Sequence, residues 1–133
     1  MKREEFTAFD GKKIAIAVWD EAENPKAVVQ IVHGMAEHIA RYDEFARFLN
    51  SRGYIVEGDD HRAHGLTDRD ALGLAGSGDL FENTVRDERD LTAMLKSRYG
   101  LPVILFGHSY GSFLSQRYLS IDPGELKIGR AHV

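Results

Sequence analysis

The sequence predicts an α/β fold with a mostly parallel sheet, an N-terminal hairpin and helices packed on the sheet. Three short and nearly continuous apolar runs, at 27–32, 54–56 and 103–106, alternate with segments of helical periodicity. Continuous apolar runs of this length are typical of strands buried on both faces. Strands that alternate with helices favour a parallel sheet, because each helix then forms the crossover between two strands.

The first element is a predicted β-hairpin. Residues 3–9 and 13–19 each carry β-favouring residues, and Asp10-Gly11 separates the two segments. An Asp-Gly pair between two such segments is a strong hairpin signal. We therefore expect the first two strands to be antiparallel neighbours.

Three segments are predicted to be helices, at 37–52, 81–99 and 112–120. In the first of these, apolar residues recur at steps of three and four with charged residues between them: Ile39, Tyr42, Phe45, Ala46 and Leu49. This spacing is typical of an amphipathic helix. Gly53 and Gly100 follow the first two helices, where a C-terminal cap is expected. The glycine-bearing stretch 62–79 is predicted to be a loop.

The composition excludes several classes of protein. The 133 residues suffice for one domain, and the net charge of −4 gives no electrostatic case for binding nucleic acids or membrane surfaces. The absence of cysteine removes disulfides, thiolate metal ligands and a cysteine nucleophile. The charged N-terminus lacks the apolar region of a signal peptide, and no apolar run approaches the about 18 residues of a membrane span. We therefore expect a cytoplasmic protein with no integral membrane segment.

The motif Gly107-His108-Ser109-Tyr110-Gly111 is the strongest chemical signal. Gly-x-Ser-x-Gly is weak by itself, but here it follows an apolar strand and precedes an apolar helix, which is the setting of a nucleophilic serine. The flanking glycines allow the close backbone approach of a sharp turn. The helix N-terminus beneath the serine favours developing negative charge. We therefore predict that Ser109 is a catalytic nucleophile.

The segment after the strand at 27–32 is His33-Gly34-Met35-Ala36-Glu37-His38. Hydrolysis through an acylated serine needs two backbone N–H groups directed at the oxygen that becomes negative. One N–H is expected from Tyr110, after the nucleophile, and the other from Met35 in this His-Gly loop. A metal site at His33 and His38 is the alternative, but no acidic or thiolate ligands accompany these histidines. We expect them to support the loop by hydrogen bonding, with no metal and no organic cofactor.

A second polar loop, Asp60-His61-Arg62-Ala63-His64-Gly65-Leu66-Thr67, follows the strand that begins at Tyr54. Ligands of open α/β sheets bind at the carboxyl ends of strands, so part of this loop is a candidate lining of the site. The favoured interpretation is structural, with polar side chains tying the loop backbone and Thr67 capping a turn. Neither Asp59 nor Asp60 fits the acid of a catalytic triad, because both precede the serine.

Three segments, HGMAEHIARYDEFA, DDHRAHGLTD and LPVILFGHSYGS, resemble the monoacylglycerol lipase and lysophospholipase group of α/β-hydrolases, also described as serine aminopeptidase S33-like. The likeness runs from about residue 5 to 126. It implies an α/β-hydrolase fold, and hydrolysis of a monoacylglycerol or similar lipid-like ester through an acyl-enzyme on Ser109. It also implies Met35 and Tyr110 as oxyanion donors. From their places in the turn and the loop, we expect five residues to support the site: His33, Gly34, Gly107, His108 and Gly111.

Four positions depart from the pattern of that group. Ala36 and Ala63 stand where glycine is usual, and Tyr110 and Ser112 stand where methionine and glycine are frequent. These departures bear on the substrate rather than on the chemistry. A peptidase and a short-chain carboxylesterase on the same fold remain alternatives, as does a non-catalytic relative. No protein partner is indicated.

The acid and the base of a catalytic triad are not evident after Ser109. Asp122, Glu125 and His132 are the remaining candidates, and Asp122 would lie at the far end of the helix that starts at the serine. We therefore expect residues 1–127 to be the N-terminal portion of a hydrolase domain, truncated after this helix and inactive alone. The tail 128–133, IGRAHV, can be encoded by a string that resembles a common sequencing adapter, and we interpret it as non-native.

Overall fold

The computed structural model describes residues 1–74, 76 and 78–125. The element order is a hairpin followed by strand–helix–strand–helix–strand–helix, as the sequence predicts. The strands are β1 (Lys2–Thr7), β2 (Lys13–Trp19), β3 (Ala27–Val32), β4 (Tyr54–Asp59) and β5 (Val103–Gly107). The helices are α1 (Asp43–Ser51), α2 (Leu80–Tyr99) and α3 (Tyr110–Ile121), with short 3₁₀ turns at Ile39–Tyr42 and Pro123–Glu125.

The five strands form one mixed sheet in the order β1-β2-β4-β3-β5. β1 and β2 form the predicted antiparallel hairpin, in which Phe6 faces Ile14, and β2 also pairs antiparallel with β4. β3 pairs parallel with β4 on one side and with β5 on the other. β4 therefore lies on one side of β3, and β5, which follows β4 in the chain, lies on the other side. The direction in which successive strands are added to the sheet reverses at β3.

β3 is buried along its whole length, which explains its continuous apolar sequence. Val28 and Val32 face a core cluster that α2 and α3 cover, whereas Val29 and Ile31 face a second cluster that α1 covers. Alternate residues of a strand point to opposite faces, so one short segment supplies both cores. Gln30 is the polar exception on the α2 face, and its partners are described below.

The prediction of a helix from Glu37 to about Arg52 was wrong at its beginning. The α-helix starts at Asp43, and a 3₁₀ turn over Ile39–Tyr42 precedes it. His38 has an extended backbone, with φ −149° and ψ 161°, so the helical segment cannot reach back to residue 37. The carboxylate of Glu37 instead accepts hydrogen bonds from the Gly34 N–H and the Tyr42 hydroxyl, both at 2.5 Å.

α2 has defined caps at both ends. The Asp79 carboxylate accepts from the Glu82 N–H at 3.1 Å, and Gly100 adopts the left-handed conformation with φ 63°. These are the usual solutions for unpaired groups at helix ends. Val85, Leu91 and Leu95 are buried on the face that packs against the sheet. Within the described residues, no helix combines the length and the apolar character that crossing a membrane requires.

The parallel strands β3, β4 and β5 bring three loops to one edge of the sheet. These are the loop from His33 to His38, the loop from Asp60 to Thr67 and the turn at His108-Ser109. In doubly wound sheets, ligands bind where the winding reverses, outside the carboxyl ends of the strands. The chemically distinctive segments of the sequence therefore meet at the position that this topology favours for a site.

Candidate active site

Ser109 occupies a sharp turn between β5 and α3. Its backbone has φ 55° and ψ −119°, a combination that residues other than glycine rarely adopt. Its side chain is exposed, and its carbonyl oxygen accepts from the Ser112 N–H at 2.8 Å, which begins α3. The turn therefore presents the hydroxyl at the helix N-terminus, where the free N–H groups favour negative charge.

Two glycines make this turn possible. A Cβ atom at Gly107 would lie 2.5 Å from the carbonyl oxygen of Gly111 and equally close to the Ser115 hydroxyl. A Cβ atom at Gly111 would overlap the Val32 carbonyl oxygen and lie 2.7 Å from that of His33. Because α3 begins so close to the end of β3, residue 111 can carry no side chain.

The loop after β3 lies directly against the serine turn. A Cβ atom at Gly34 would lie 3.4 Å from the Cβ atom of Ser109 and 3.3 Å from the His108 carbonyl oxygen. Burial acts to raise the pKa of Glu37, but its hydrogen bonds from Tyr42 and Gly34 outweigh that effect and lower the pKa. An ionised Glu37 therefore holds the first N–H of this loop.

The N–H groups along this loop have different partners. The Gly34 N–H donates to Glu37, and the Ala36 N–H donates to His64 Nε2 at 3.2 Å. Within the described part of the chain, the N–H of Met35 between them donates to no group, and the same is true of the Tyr110 N–H at the start of α3. The loop and the helix thus leave two N–H groups available beside Ser109.

A cavity of about 770 Å³ adjoins the loop. Its lining includes Met35, Ala40, Leu66, Leu72 and Leu80, and it is predominantly apolar. Ser109 is not among the lining residues, so the cavity opens on the loop side of the site rather than at the serine. The Met35, Leu66 and Leu72 side chains are largely exposed around it.

His33 is a buried and neutral support of the loop. Its Nδ1 donates to the Gly34 carbonyl oxygen at 2.7 Å, and its Nε2 accepts from the His61 N–H at 3.0 Å. One nitrogen therefore carries the proton and the other does not. Burial, reinforced by repulsion from His61, lowers the pKa of His33 to about 4. These contacts join the start of this loop to the loop after β4.

The other two predicted histidines contribute differently. His38 is exposed, and its side chain makes no capping hydrogen bond to the turn that follows it. His108 is exposed beside Ser109, and its N–H donates to the Val32 carbonyl oxygen at 3.2 Å. The backbone of His108, rather than its ring, joins the serine turn to β3.

The loop after β4 has the structural role favoured from the sequence. The Asp60 carboxylate accepts from the Ile39 N–H at 2.8 Å and from the Leu66 N–H at 2.9 Å. Thr67 donates its hydroxyl to the Asp60 carbonyl oxygen at 2.6 Å and accepts from the Ala15 N–H at 2.9 Å. Asp60 thereby links this loop to the turn that precedes α1.

The two alanines that replace usual glycines both have left-handed backbones. Ala36 has φ 57° and Ala63 has φ 66°. A Cβ atom is disfavoured in this region because it crowds the following carbonyl oxygen. The backbone of both loops therefore retains the shape that glycine would favour, and the alanines carry strain next to the candidate site.

Arg62 fixes the loop to the rest of the fold. Its Nε lies 2.6 Å from Asp87 of α2, and its Nη1 lies 2.5 Å from Asp10 of the hairpin turn. The hydrogen bonds that Arg62 donates to Asp87 and Asp10 raise the pKa of its guanidinium, so it remains a cation. One guanidinium thus joins three segments that are distant in sequence.

A buried cluster of Asp59, His61 and Glu88 lies behind the loop and was not predicted. His61 Nδ1 is 2.9 Å from Asp59 Oδ1 and 3.2 Å from Glu88 Oε1, and the His61 ring stacks on the His33 ring at 3.7 Å. These three side chains form the one group of three or more potential metal ligands among the described residues, and it does not include the pair His33 and His38, whose use as a metal site was not favoured from the sequence. Glu88 gave no signal because carboxylates are ordinary on a helix whose other face is apolar.

Asp122, one of the triad candidates that follow Ser109, does not approach the serine. Asp122 lies at the C-terminal end of α3 and pairs with Arg89 at 3.3 Å. The 12 residues of α3 put about 18 Å between this end and the serine turn. His132 and the predicted non-native tail at 128–133 lie outside the described residues.

A family model described as serine aminopeptidase, S33 matches residues 23–131, which is most of the chain. This chain belongs to the serine aminopeptidase S33 family. The S33 chain is 38% identical over 107 residues to a monoglyceride lipase homolog of Monkeypox virus. It is 33% identical over 116 residues to the monoglyceride lipase of Homo sapiens. These alignments cover 80% and 86% of the S33 chain but 37% of each relative, so the chain spans well under half of their length.

A solved structure confirms the predicted fold of this S33 chain. A thermostable carboxyl esterase from Bacillus coagulans, solved in complex with glycerol, superposes with a TM-score of 0.84 at 31% identity. The superposition covers 94% of the S33 chain and 41% of the esterase chain. The α/β-hydrolase fold is therefore present as far as α3.

Proposed function

We propose that this chain is the nucleophile-bearing portion of a hydrolase of carboxylic esters, with Ser109 as the nucleophile. One observation carries the proposal: Ser109 lies in a strained turn beside two N–H groups, those of Met35 and Tyr110, that have no partner among the described residues. The Tyr110 N–H lies at the N-terminus of α3, where unpaired N–H groups favour an anionic ligand, and the loop that carries the Met35 N–H lies against the same turn. Membership in the S33 family supports the same assignment.

The chemistry follows from this placement. The Ser109 hydroxyl attacks the ester carbonyl, and the carbonyl oxygen takes up negative charge as the carbon becomes tetrahedral. The Met35 and Tyr110 N–H groups donate to that oxygen, which contributes most in the charged intermediate. Collapse expels the alcohol and leaves an acyl-enzyme, which water then hydrolyses to the carboxylic acid and free Ser109.

A base must accept the Ser109 proton, and an acid must orient that base. No histidine occurs between Ser109 and Glu125, and Asp122 lies at the far end of α3. We propose that both groups lie beyond residue 127 in the natural protein, and that residues 128–133 are not native. Residues 1–133 alone are then expected to turn over p-nitrophenyl esters negligibly. Turnover by that chain, lost in Ser109→Ala, would contradict this part of the proposal.

The proposed substrate is a monoacylglycerol or a similar lipid-like ester. The apolar cavity beside Met35 has room for part of an acyl chain, and a drug-sized ligand needs a comparable volume. Several relatives are monoglyceride lipases by name.

We also propose a cytoplasmic location, which the cysteine-free sequence supports. Recovery of the protein in a secreted fraction would exclude that location.

Labelling with a fluorophosphonate tests the nucleophile. The protein expressed from its complete gene should take up one probe at Ser109, and Ser109→Ala should abolish labelling. Ser120→Ala is the matched control, because Ser120 lies exposed at the other end of the same helix. Labelling that survives in Ser109→Ala, or no labelling of the folded wild-type protein, would refute the assignment.

The substrate class is tested on the same protein. A lipid-ester hydrolase should have a higher kcat/KM for a long-chain monoacylglycerol than for p-nitrophenyl acetate or an aminoacyl anilide. Preference for the acetate would favour the short-chain carboxylesterase, and preference for the anilide would favour a peptidase. No turnover of any of these substrates would favour the non-catalytic alternative.

A further inference from the structure

The buried cluster of Asp59, His61 and Glu88 has no part in the reaction outlined above. The side chains of Asp59 and Glu88 are 1% and 2% exposed, and that of His61 is fully buried. Ionised groups at this depth persist only when they are paired and hydrogen-bonded. Their arrangement therefore has to satisfy each charge and each proton within the cluster.

His61 lies between acceptors on both sides of its ring. Its Nδ1 is 2.9 Å from the Asp59 carboxylate, and its Nε2 is 2.9 Å from the His33 carbonyl oxygen. A carbonyl oxygen can only accept a hydrogen bond, so Nε2 carries a proton. An ionised carboxylate also only accepts, so Nδ1 carries a second proton, which it donates to Asp59. The ring is therefore an imidazolium, and the adjacent Asp59 raises its pKa well above the ordinary value despite the cost of burial.

Two carboxylate oxygens in the cluster have no hydrogen-bond donor among the described residues. They are Asp59 Oδ2 and Glu88 Oε1, both buried, although Glu88 Oε1 lies 3.2 Å from His61 Nδ1. The other oxygen of Glu88 accepts from Gln30 Nε2 at 2.7 Å, and the Gln30 side-chain carbonyl accepts from the Thr92 hydroxyl at 2.6 Å. One proton on Glu88 Oε1 would supply a donor for Asp59 and so satisfy both unpaired oxygens.

The charges of the cluster favour this arrangement. Burial raises the pKa of Glu88 to about 8, and the neighbouring Asp59 carboxylate adds to the effect. Burial opposes ionisation of Asp59, but the imidazolium of His61 outweighs it and lowers the pKa to about 2. One carboxylate, one cation and one neutral acid therefore fill the cluster, with no net charge.

We propose that neutral Glu88, ionised Asp59 and cationic His61 form a proton-sharing triad. This triad positions the loop from His33 to His38, which carries the Met35 N–H, by holding the carbonyl oxygen of His33. His61 holds His33 at three points: its Nε2 donates to the carbonyl oxygen, its N–H donates to the ring, and its ring stacks on that of His33. The next two residues are Gly34 and Met35, so this anchor sets the direction of the Met35 N–H. These are positioning residues, and the proposal rests on the proposed role of Met35.

A metal ion would be a different occupant of the same cluster. The three potential ligand atoms lie within 4.8 Å of one another. The distance of 2.9 Å between His61 Nδ1 and Asp59 Oδ1 is that of a hydrogen bond, and the proton on Nδ1 leaves no lone pair for a metal. A stoichiometric divalent ion in the purified complete protein, measured by elemental analysis, would contradict the proposal.

Histidine ring NMR of the complete protein tests the triad directly, with the His61 signals assigned by their loss in His61→Gln. Wild-type protein should show both ring nitrogens of His61 protonated at neutral pH. Glu88→Gln should preserve that signature, because an amide N–H can replace the acid proton toward Asp59. Asp59→Asn should abolish it, because the amide no longer balances the cation. A neutral His61 ring in wild-type protein would overturn the proposal. Loss of the doubly protonated ring in Glu88→Gln would overturn it as well.

Kinetics on the complete protein test the positioning role. Asp59→Asn should lower kcat roughly 10-fold with little change in KM. This decrease in kcat is smaller than the roughly 10²–10³-fold decrease that follows deletion of an oxyanion donor. Glu88→Gln should retain kcat within about threefold, and Glu82→Gln, an exposed carboxylate on the same helix, serves as the matched control. An unchanged kcat in folded Asp59→Asn would contradict the positioning role. If Ser109 fails to react with a fluorophosphonate, the proposed function fails, whereas the NMR result still decides the triad.

Discussion

The carbonyl oxygen of Val32, the last residue of β3, occupies the place where a side chain at Gly111 would begin. The two backbones meet there because α3 begins directly against the carboxyl end of β3. Gly111→Ala should therefore destabilise the complete protein by at least about 3 kcal/mol in urea unfolding, since the rigid strand cannot move aside. Gly124→Ala should change stability by less than about 0.5 kcal/mol, because nothing lies within 4 Å of its Cβ position. Equal effects of the two substitutions would show that the close approach is absent.

The strained backbone of Ser109 predicts an inverted ranking of two inactive variants. Both Ser109→Ala and Ser109→Gly remove the hydroxyl, but only glycine accepts φ 55° with ψ −119° without strain. Ser109→Gly should therefore be more stable than Ser109→Ala by about 1 kcal/mol in urea unfolding. At Ser120, in the last turn of α3, the order should reverse, with glycine up to about 1 kcal/mol less stable than alanine. The same order at both positions would mean that Ser109 is unstrained.

The left-handed alanines give a third prediction. Ala36→Gly should stabilise the protein by about 0.5 kcal/mol, because relief of the Cβ strain exceeds the added chain entropy. Ala63→Gly should be close to neutral, because Ala63 is 3% exposed and its lost methyl burial, about 0.8 kcal/mol, offsets the relief. The control is Ala93→Gly on the exposed face of α2, which should cost about 1 kcal/mol. Thermal unfolding of the three variants measures these differences, and a destabilised Ala36→Gly would contradict the argument.

The predictable parts of the fold were those whose signal is local. The apolar run at 27–32 matches β3, and Asp10-Gly11 lies at the turn of the observed hairpin. Glycine-bearing motifs at Gly107 and Gly111 also indicated a serine turn correctly, because sterics require glycine at both positions. Local sequence carries these features because the turn, the strand and the close approach each depend on a few adjacent residues.

The features that escaped prediction depend on contacts between distant segments. The helix expected from Glu37 starts later because the Glu37 side chain turns back to Gly34 and Tyr42, which periodicity does not reveal. Gln30 and Glu88 are 58 residues apart, and neither position is unusual alone. Only the packing of α2 against β3 shows that both are buried and paired. The roles of Met35 and Tyr110 as oxyanion donors stay predictions.

Glu88 predicts how stability changes with pH. It faces Asp59 on β4, His61 on the following loop and Gln30 on β3, with His33 beyond. Its pKa rises from 4.5 to about 8 on folding, so the folded state retains a proton that the unfolded state loses. The stabilisation is complete below pH 4.5 and disappears as the pH rises through about 8. Glu88→Gln removes this titration, so the variant should gain stability relative to wild type as the pH increases across that window. Urea unfolding of both proteins at several pH values measures the difference, and a constant difference would show that Glu88 is already ionised in the folded protein.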